Sequence, residues 1–249
     1  MWALPVPGSR HRVPMIRWPG VFGNYSSGGR ALKTNCPEIQ TTIKIILLCL
    51  LIAGSVAIVS ADGNNVLTGN TASGNGNGIV LINSDNNNLV GNNANGNANS
   101  GIMLEGSDNN TITGNTASGN SYGVLVVDSE NNTISGNTIT GNTISGIGLI
   151  LLSRNNLIYN NYFNNINNVR VDSSVNGTVW SIVPVPGKNI IGGVNTGGNF
   201  WANPDNTGWS QTHPDSGGGF TVPYNVTTDR LTIDVYPLAM FNNGIAYAT

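Results

Sequence analysis

Charge is scarce in this chain. Lys and Arg number 10 and Asp and Glu 12 in 249 residues, 9% in all, where a globular chain ordinarily carries about a quarter. So few cations cannot build a basic face, which argues against a nucleic-acid binder. Cysteine is almost absent: Cys36 and Cys49 both precede residue 61. The remainder of the chain therefore has no disulfide and no thiolate metal site, and packing and backbone hydrogen bonds must hold it. Histidine is limited to His11 and His213. Strong helix formers give way to Asn and to 33 Gly, which argues against a helical bundle. Hydrophobic residues still make up 39%, so the composition is not that of a disordered chain.

What charge exists is unevenly placed. Residues 1–61 carry a net +5 and residues 62–249 a net −7, an asymmetry expected of two regions with different fates. Ile45 to Val59 is an uninterrupted apolar run behind Lys44, and Val59 and Ala61 occupy the −3 and −1 positions of a cleavage after Ala61. A basic flank, an apolar run of about 15 residues and small residues at the cleavage site describe a secretory signal over residues 41–61. The alternatives are a retained signal anchor with its basic flank in the cytoplasm and a buried core helix. Residues 1–40 are rich in Pro, Gly and Arg without a period. They read as an unstructured extension, either a frame started too far upstream or a cytoplasmic tail.

From residue 62 the chain repeats itself. Gly-Asn pairs stand at Gly69-Asn70, Gly91-Asn92, Gly114-Asn115 and Gly136-Asn137, with Asn160-Asn161 next. A second series follows five residues later, from Gly74-Asn75 to Gly141-Asn142 and then Asn165. Asn-rich turns open each unit, at Asn64-Asn65, Asn87-Asn88, Asn109-Asn110, Asn131-Asn132 and Asn155-Asn156. Between them apolar residues fill equivalent slots: Leu67, Leu89, Ile112, Ile134 and Ile158 in one, Ala72, Ala94, Ala117, Ile139 and Phe163 in another. The third stretch alternates, as in Ile79 and Leu81 or Ile102 and Leu104, which is the period of a strand with one face inward.

Three short strands per unit, each closed by residues that tolerate a left-handed backbone, define a three-sided coil. No such strand is stable alone. Stacked on its copy one unit later it pairs in parallel at about 4.8 Å, and Asn on Asn at the corners can form amide ladders. The spacing predicts an all-β chain, a right-handed parallel β-helix of about five coils over residues 62–172, with residues 173–249 as a C-terminal cap region. A leucine-rich repeat would show a Leu pattern and a helical half, and a disordered Asn-rich tract would lack the ordered apolar slots.

These residues resemble the NosD-like group of β-helix repeat proteins of archaeal and bacterial cell surfaces. The resemblance rests on Asn131 to Ile139 (NNTISGNTI), on Asn189 to Gly193, on Gly197 to Trp201 (GGNFW), and on Pro223-Tyr224 and Tyr236 to Leu238. It implies the fold over residues 62 to about 238, and a functionally mixed group that includes carbohydrate-binding and sugar-hydrolase repeats. It also implies a calcium-like loop between GGNFW and Pro223-Tyr224. That stretch here, Asp205 to Phe220, holds few acids, and no calcium site is expected. The group's copper-binding label meets only His213, Met103 and Met240 after residue 61. Copper(I) wants thiolate or thioether and copper(II) wants imidazole, so no tight copper site, and no cofactor, is expected.

Three sets of candidate residues remain. Asp85, Asp108 and Glu130 occupy one slot in successive coils, forming an acidic column that Arg154 ends. It reads as a solvated corner, a cation stripe or part of a catalytic cluster; no catalytic residue is assigned. Trp201, Trp209, Asp205 and His213 lie in the aromatic-rich C-terminal region, whose residues either cover the open end of the solenoid or form a carbohydrate platform. Sequons at Asn109, Asn131, Asn176 and Asn225 are glycosylation candidates. The expected function is a structural or interaction role at the cell surface or outside the cell (the periplasm, in a Gram-negative source), with polysaccharide or cell-surface components as partners and carbohydrate binding as the specific form. Membrane contact is expected only through an uncleaved signal segment. The alternative is a polysaccharide-processing hydrolase, lyase or epimerase.

Overall fold

A computed structural model of the chain describes residues 57–60, 63–216, 218–227 and 232–240. The chain divides into two units, Met1–Thr41 and Thr42–Thr249, and every described residue belongs to the second. The extension over residues 1–40 lies outside the described residues. So does the segment 41–61 read as an export signal, apart from Ala57–Ser60, whose backbone pairs in parallel with Ile79–Ile82.

The described residues form a β-solenoid of three parallel sheets. Sheet A stacks Ala57–Ser60, Ile79–Ile82, Ser100–Glu105, Tyr122–Val127, Ser145–Ile150 and Val169–Val171. Sheet B stacks Val66–Thr68, Asn88–Val90, Thr111–Thr113, Thr133–Ser135 and Leu157–Tyr159. Sheet C stacks Thr116–Ser118, Thr138–Thr140, Tyr162–Asn164 and Phe200–Ala202, and bridges through Asn93 to Thr71 carry it back to the earlier coils. The chain visits B, C and A in turn, so each strand lies beside its own copy from the next coil.

Register follows the repeat. Leu67, Leu89, Ile112, Ile134 and Ile158 are Cα partners up sheet B. Ile79, Ile102, Val124, Ile147 and Val169 are partners up sheet A. The inward residues from Leu89 to Ile158 and from Ile79 to Leu149 are fully buried. At the slot facing inward from sheet C the side chain grows along the axis, from Ala72, Ala94 and Ala117 through Ile139 and Phe163 to Trp201, all of them buried.

One two-residue device makes most of the corners. A residue with positive φ turns the chain, and the Asn after it points inward. Gly69, Gly91, Gly114 and Gly136 hold φ of 62 to 67°, and Asn160 takes the same turn at 55°. Asn64, Asn109, Asn131 and Asn155 do so at another corner, at 53 to 65°. Gly is free of the Cβ clash that disfavours this region, and Asn tolerates it best among the rest.

The inward Asn side chains then chain together. Asn115 donates both its backbone N–H and its Nδ2 to Asn137 Oδ1, at 2.8 and 3.0 Å. Asn137 repeats this onto Asn161, and Asn161 onto Asn199. The remaining amide proton of most ladder Asn residues reaches a carbonyl of the preceding coil, as Asn137 does to Ile112 O at 2.9 Å, while that of Asn87 turns to Ser84 O in its own coil. A second ladder runs through Asn65, Asn87, Asn110, Asn132 and Asn156, and a third through Asn97, Asn120, Asn142, Asn165 and Asn168. Buried amides are tolerable in this core because both ends of each are satisfied.

The C-terminal region contributes more than a cover. Phe200–Ala202 pairs with Tyr162–Asn164 as a further rung of sheet C, so Asn199-Phe200-Trp201 repeats the inward Asn and strand of the earlier coils. It follows Asn161 after 38 residues, where the earlier steps are 22 to 24. Phe163 and Trp201 stack with ring centroids 4.8 Å apart and planes 9° from parallel, which is the rung spacing itself. Trp180 and Tyr224 close over Trp201 at 5.8 and 5.1 Å.

The last acceptor of the Gly-Asn ladder is a carboxylate. Asp234 Oδ2 receives Asn199 N–H at 2.7 Å and Asn199 Nδ2 at 3.4 Å, the contacts a further Asn would supply. It also receives Trp201 Nε1 at 2.9 Å, while Oδ1 takes Tyr236 N–H at 3.1 Å. Burial pushes the Asp234 carboxyl up to about 7, against the pull of these donors. Gly198 lies so close beneath it that any Cβ there would strike the carboxylate.

Candidate functional site

Asp85, Asp108 and Glu130 stand in one column, and the structure gives the carboxylates of Asp85 and Asp108 a backbone role. Asp85 Oδ1 accepts the N–H of Asp108, and Asp108 Oδ1 accepts the N–H of Glu130, both at 2.7 Å. Asp85 and Asp108 thus each tie their coil to the next. Glu130 is followed by Arg154 in the same stack. Glu105 and Asp128 are exposed and stand apart from the column, Glu105 at the end of a sheet A strand and Asp128 on a left-handed corner.

The four candidates near the C-terminal end separate in space. Trp201 is 1% exposed. Its ring is covered by Phe163, Trp180 and Tyr224, and its indole N–H is spent on Asp234. It offers no face to a ligand, so its place among the binding candidates is corrected: the inward slot of sheet C claims it for the core. Trp209 opens the single helical turn Trp209–Thr212 and is half-buried, with His213 stacked on it at 3.6 Å and 19°. Its Nε1 donates to Val222 O at 3.0 Å. His213 Nδ1 lies 3.0 Å from Trp209 O and 3.2 Å from Thr212 Oγ1. Asp205 is exposed, and the hydroxyl and N–H of Thr207, both on its Oδ1, hold its carboxyl below the usual carboxylate range. Asp205, Trp209 and His213 thus share one short segment around the helical turn, while Trp201 lies beneath it and ties to it through Ser210 Oγ.

A polar pair that sequence reasoning missed lies on the outer face of sheet A. Arg170 Nη1 donates to Tyr122 Oη at 2.7 Å. Gly148, the register partner of Arg170, makes room: a Cβ there would meet the Tyr122 ring and Leu125 at 3.0 to 3.1 Å. The two residues are 48 positions apart, and only the coil-to-coil register brings them together. The sequon residues Asn109, Asn131, Asn176 and Asn225 are all exposed.

Stacked parallel sheets, amide-ladder corners and an aromatic closure define the class: a parallel β-helix repeat protein. The sequence matches the family described as periplasmic copper-binding protein (NosD) over residues 41–206, and the chain belongs to that family. No curated protein matches it. Among solved structures it is similar to the A-module of a mannuronan C-5 epimerase from Azotobacter vinelandii, at 19% identity and a TM-score of 0.37, covering 50% of each chain. A periplasmic alginate epimerase aligns at 17% identity and a TM-score of 0.49, covering 75% of this chain and 43% of that one. An alginate lyase from Paenibacillus sp. aligns at 16% and 0.30, covering 51% and 54%. The chain spans about half the length of these proteins, and the likeness is one of fold.

The family's name implies copper, and the residues present do not fit it. His213 is the one histidine after residue 61, and its Nδ1 is engaged by Trp209 O and Thr212 Oγ1. Among the described residues no three His, Cys, Asp or Glu gather closely enough to hold a metal ion. No helix of the described residues is long and apolar enough to cross a membrane.

Proposed function

We propose that this chain is an exported β-helix protein with a structural or interaction role outside the cytoplasm, and that carbohydrate recognition is the specific form of that role. The observation that carries the reading is the use of the repeat carboxylates. Asp85 and Asp108 accept backbone N–H groups of the next coil, so the regular part of the molecule is a scaffold. Features that do not repeat are concentrated at the C-terminal end, where Asp205, Trp209 and His213 provide an aromatic face with acceptors beside it. Aromatic faces and hydrogen-bonding side chains are what sugars require. A periplasmic or cell-surface location accords with the family's description and with the net −7 of residues 62–249. Polysaccharide or another cell-surface component is the partner, and glycans on Asn109, Asn131, Asn176 or Asn225 belong to the same picture.

The second reading, a polysaccharide-processing enzyme, is favoured by the Tyr122 and Arg170 pair, a phenol and a cation held together on an accessible sheet face. A glycan array run with a parallel hydrolase, lyase and epimerase assay separates the two. Binding without turnover supports the scaffold reading. Turnover abolished by Tyr122→Phe would replace it with the enzyme.

A further inference from the structure

Where the stack of coils ends, one corner amide is left without a coil to receive it. At the corner after the acidic column each left-handed residue donates its backbone N–H to the next coil. Asn86 donates to Asp108 O, Asn109 to Glu130 O, Asn131 to Arg154 O and Asn155 to Asn176 O, at 3.0 to 3.1 Å. Gly177 is the next residue of this series, with φ of 67°. Asn176 bridges back to Arg154 as the last member of the column. Among the described residues the Gly177 N–H accordingly has no hydrogen-bond partner, and none holds the Asn176 side chain. Both residues are exposed.

The fold also demands glycine here. The left-handed backbone favours it, and a Cβ at 177 would collide with Asn155 Oδ1. An Asn followed by Gly is the pair in which a backbone nitrogen reaches a side-chain amide most easily, because no side chain on the second residue blocks the approach. The other such pairs among the described residues are held. Asn77 Oδ1 accepts Ser100 N–H at 3.1 Å and Gly78 donates to Ser100 O at 2.9 Å. Asn95 Oδ1 accepts Ser118 N–H at 2.7 Å and Gly96 donates to Ser118 O at 2.9 Å. Asn75, before Gly76, is buried, and its N–H is fixed on Asn97 Oδ1 at 3.0 Å. Asn176 alone among these pairs joins an exposed amide to an unbonded glycine N–H.

We infer that Asn176 is a site of spontaneous chemical modification, deamidating through a cyclic imide with Gly177. The Gly177 nitrogen attacks Asn176 Cγ. The N–Cγ bond forms, the Cγ–Nδ2 bond breaks, and Nδ2 leaves as ammonia with the proton given up by the Gly177 N–H. Water then opens the imide, at Cγ to give aspartate or at the α-carbonyl to give isoaspartate, and the Gly177 N–H is restored. Nothing is oxidised or reduced. Aspartate continues the acidic column of Asp85, Asp108 and Glu130 beyond Arg154. Isoaspartate reroutes the backbone at the carbonyl that holds Asn155 N–H, where the regular coils give way to the C-terminal region. The same Nδ2 is the glycan acceptor of the sequon Asn176-Gly177-Thr178, so glycosylation and deamidation at this residue exclude each other.

Peptide mapping by mass spectrometry tests it on the full chain, made in a host without N-glycosylation and aged folded at mildly alkaline pH. Asn176 converts ahead of Asn77 and Asn95, which lag about tenfold for each hydrogen bond that must open before attack, and labelling by an isoaspartyl methyltransferase finds isoaspartate in the Asn176 peptide. In urea the three convert at comparable rates, since only the fold distinguishes them. An Asn176 that ages no faster than Asn77 and Asn95 in the folded chain overturns the inference. So does an Asn176 that leads by the same margin in urea, which would place the cause in local sequence and not in the missing coil.

Discussion

In residues 63–172 most corners are built by the same device, a left-handed residue followed by an inward Asn, whereas residues 173–240, apart from the Asn199–Ala202 rung, close the solenoid with contacts that each occur once. The difference is between stability that is shared and stability that is local. A ladder Asn is bonded to the coil before it and the coil after it, so its loss is felt in both directions. Asp234, Trp180 and Trp201 have no copies, and their loss should open one end and leave the remainder standing. The same division sorts function: the repeats are fully occupied in holding one another, and the candidate binding features lie where repetition stops.

Four experiments separate shared from local stability. The largest effect is expected from Asn137→Ala, which takes the acceptor from the N–H of Asn115, one acceptor from Asn115 Nδ2 and one donor from the carbonyl of Ile112. At about 1–3 kcal/mol for each buried group, urea denaturation should show a loss on the order of 3–6 kcal/mol, with hydrogen exchange accelerated in coils on both sides. Trp201→Ala removes the ring stacked on Phe163 and should cost about 3–5 kcal/mol, but exchange should rise only near the C-terminal end.

Asp234 supplies the third test. Its carboxyl sits at about 7 in the folded chain against an ordinary 3.8, so between about pH 4 and pH 7 the folded state binds a proton that the unfolded state releases. Stability is therefore greatest at the acid end of this window, falls as pH rises through it and levels off above about pH 7. The fall should approach 4 kcal/mol at about 1.4 kcal/mol per pKa unit. Asp234→Asn, which cannot ionise, should flatten the profile when urea midpoints are compared between pH 5 and pH 8. The smallest effect is expected from Asp108→Asn, which keeps an acceptor for the N–H of Glu130 and should shift stability by less than about 0.5 kcal/mol. A large loss there would mean that the column's charge, and not its hydrogen bonds, matters.

Much of the repeat architecture could be read in the sequence because it is periodic. The Leu67 to Ile158 series, the Ile79 and Leu81 alternation and the Gly-Asn corners give the strands, their inward faces and their register. Where periodicity lapses, legibility lapses too. Asn199-Phe200-Trp201 repeats the corner pattern, but 38 residues instead of 22 to 24 separate it from Asn161, and its rung went unseen. The sequence therefore offers Trp201 as a possible ligand platform, whereas it is the last and largest residue of an inward column that begins with Ala72. The composition there did contain the signal, since Gly198-Asn199 precedes Phe200 as Gly136-Asn137 precedes Thr138. Asp234 could not be recognised as the end of an Asn ladder, because a carboxylate and an amide share a shape but not a residue type. Tyr122 and Arg170 are joined by stacking across 48 residues, and neither carries a motif. The acidic column was visible as a column, while the use of its oxygens by the next coil depends on which atom faces which N–H.

The segment read as an export signal also touches the comparison. Ala57–Ser60 lies within it and pairs with Ile79–Ile82, so cleavage after Ala61 would leave Ile79–Ile82 as the first strand of sheet A. N-terminal sequencing of the native protein decides between a chain that begins at Asp62 and one that keeps this strand.

Buried Asn side chains that bond coil to coil along three corners must be protected from solvent, and two-dimensional NMR of the side-chain amides during exchange into deuterated water reads that protection. Slow exchange of the Asn110, Asn115, Asn120, Asn132, Asn137 and Asn142 amides, with the exposed Asn109 and Asn131 gone at once, is the result predicted. Uniformly fast exchange of all Asn side chains in the folded protein would contradict the ladders and the solenoid they hold together.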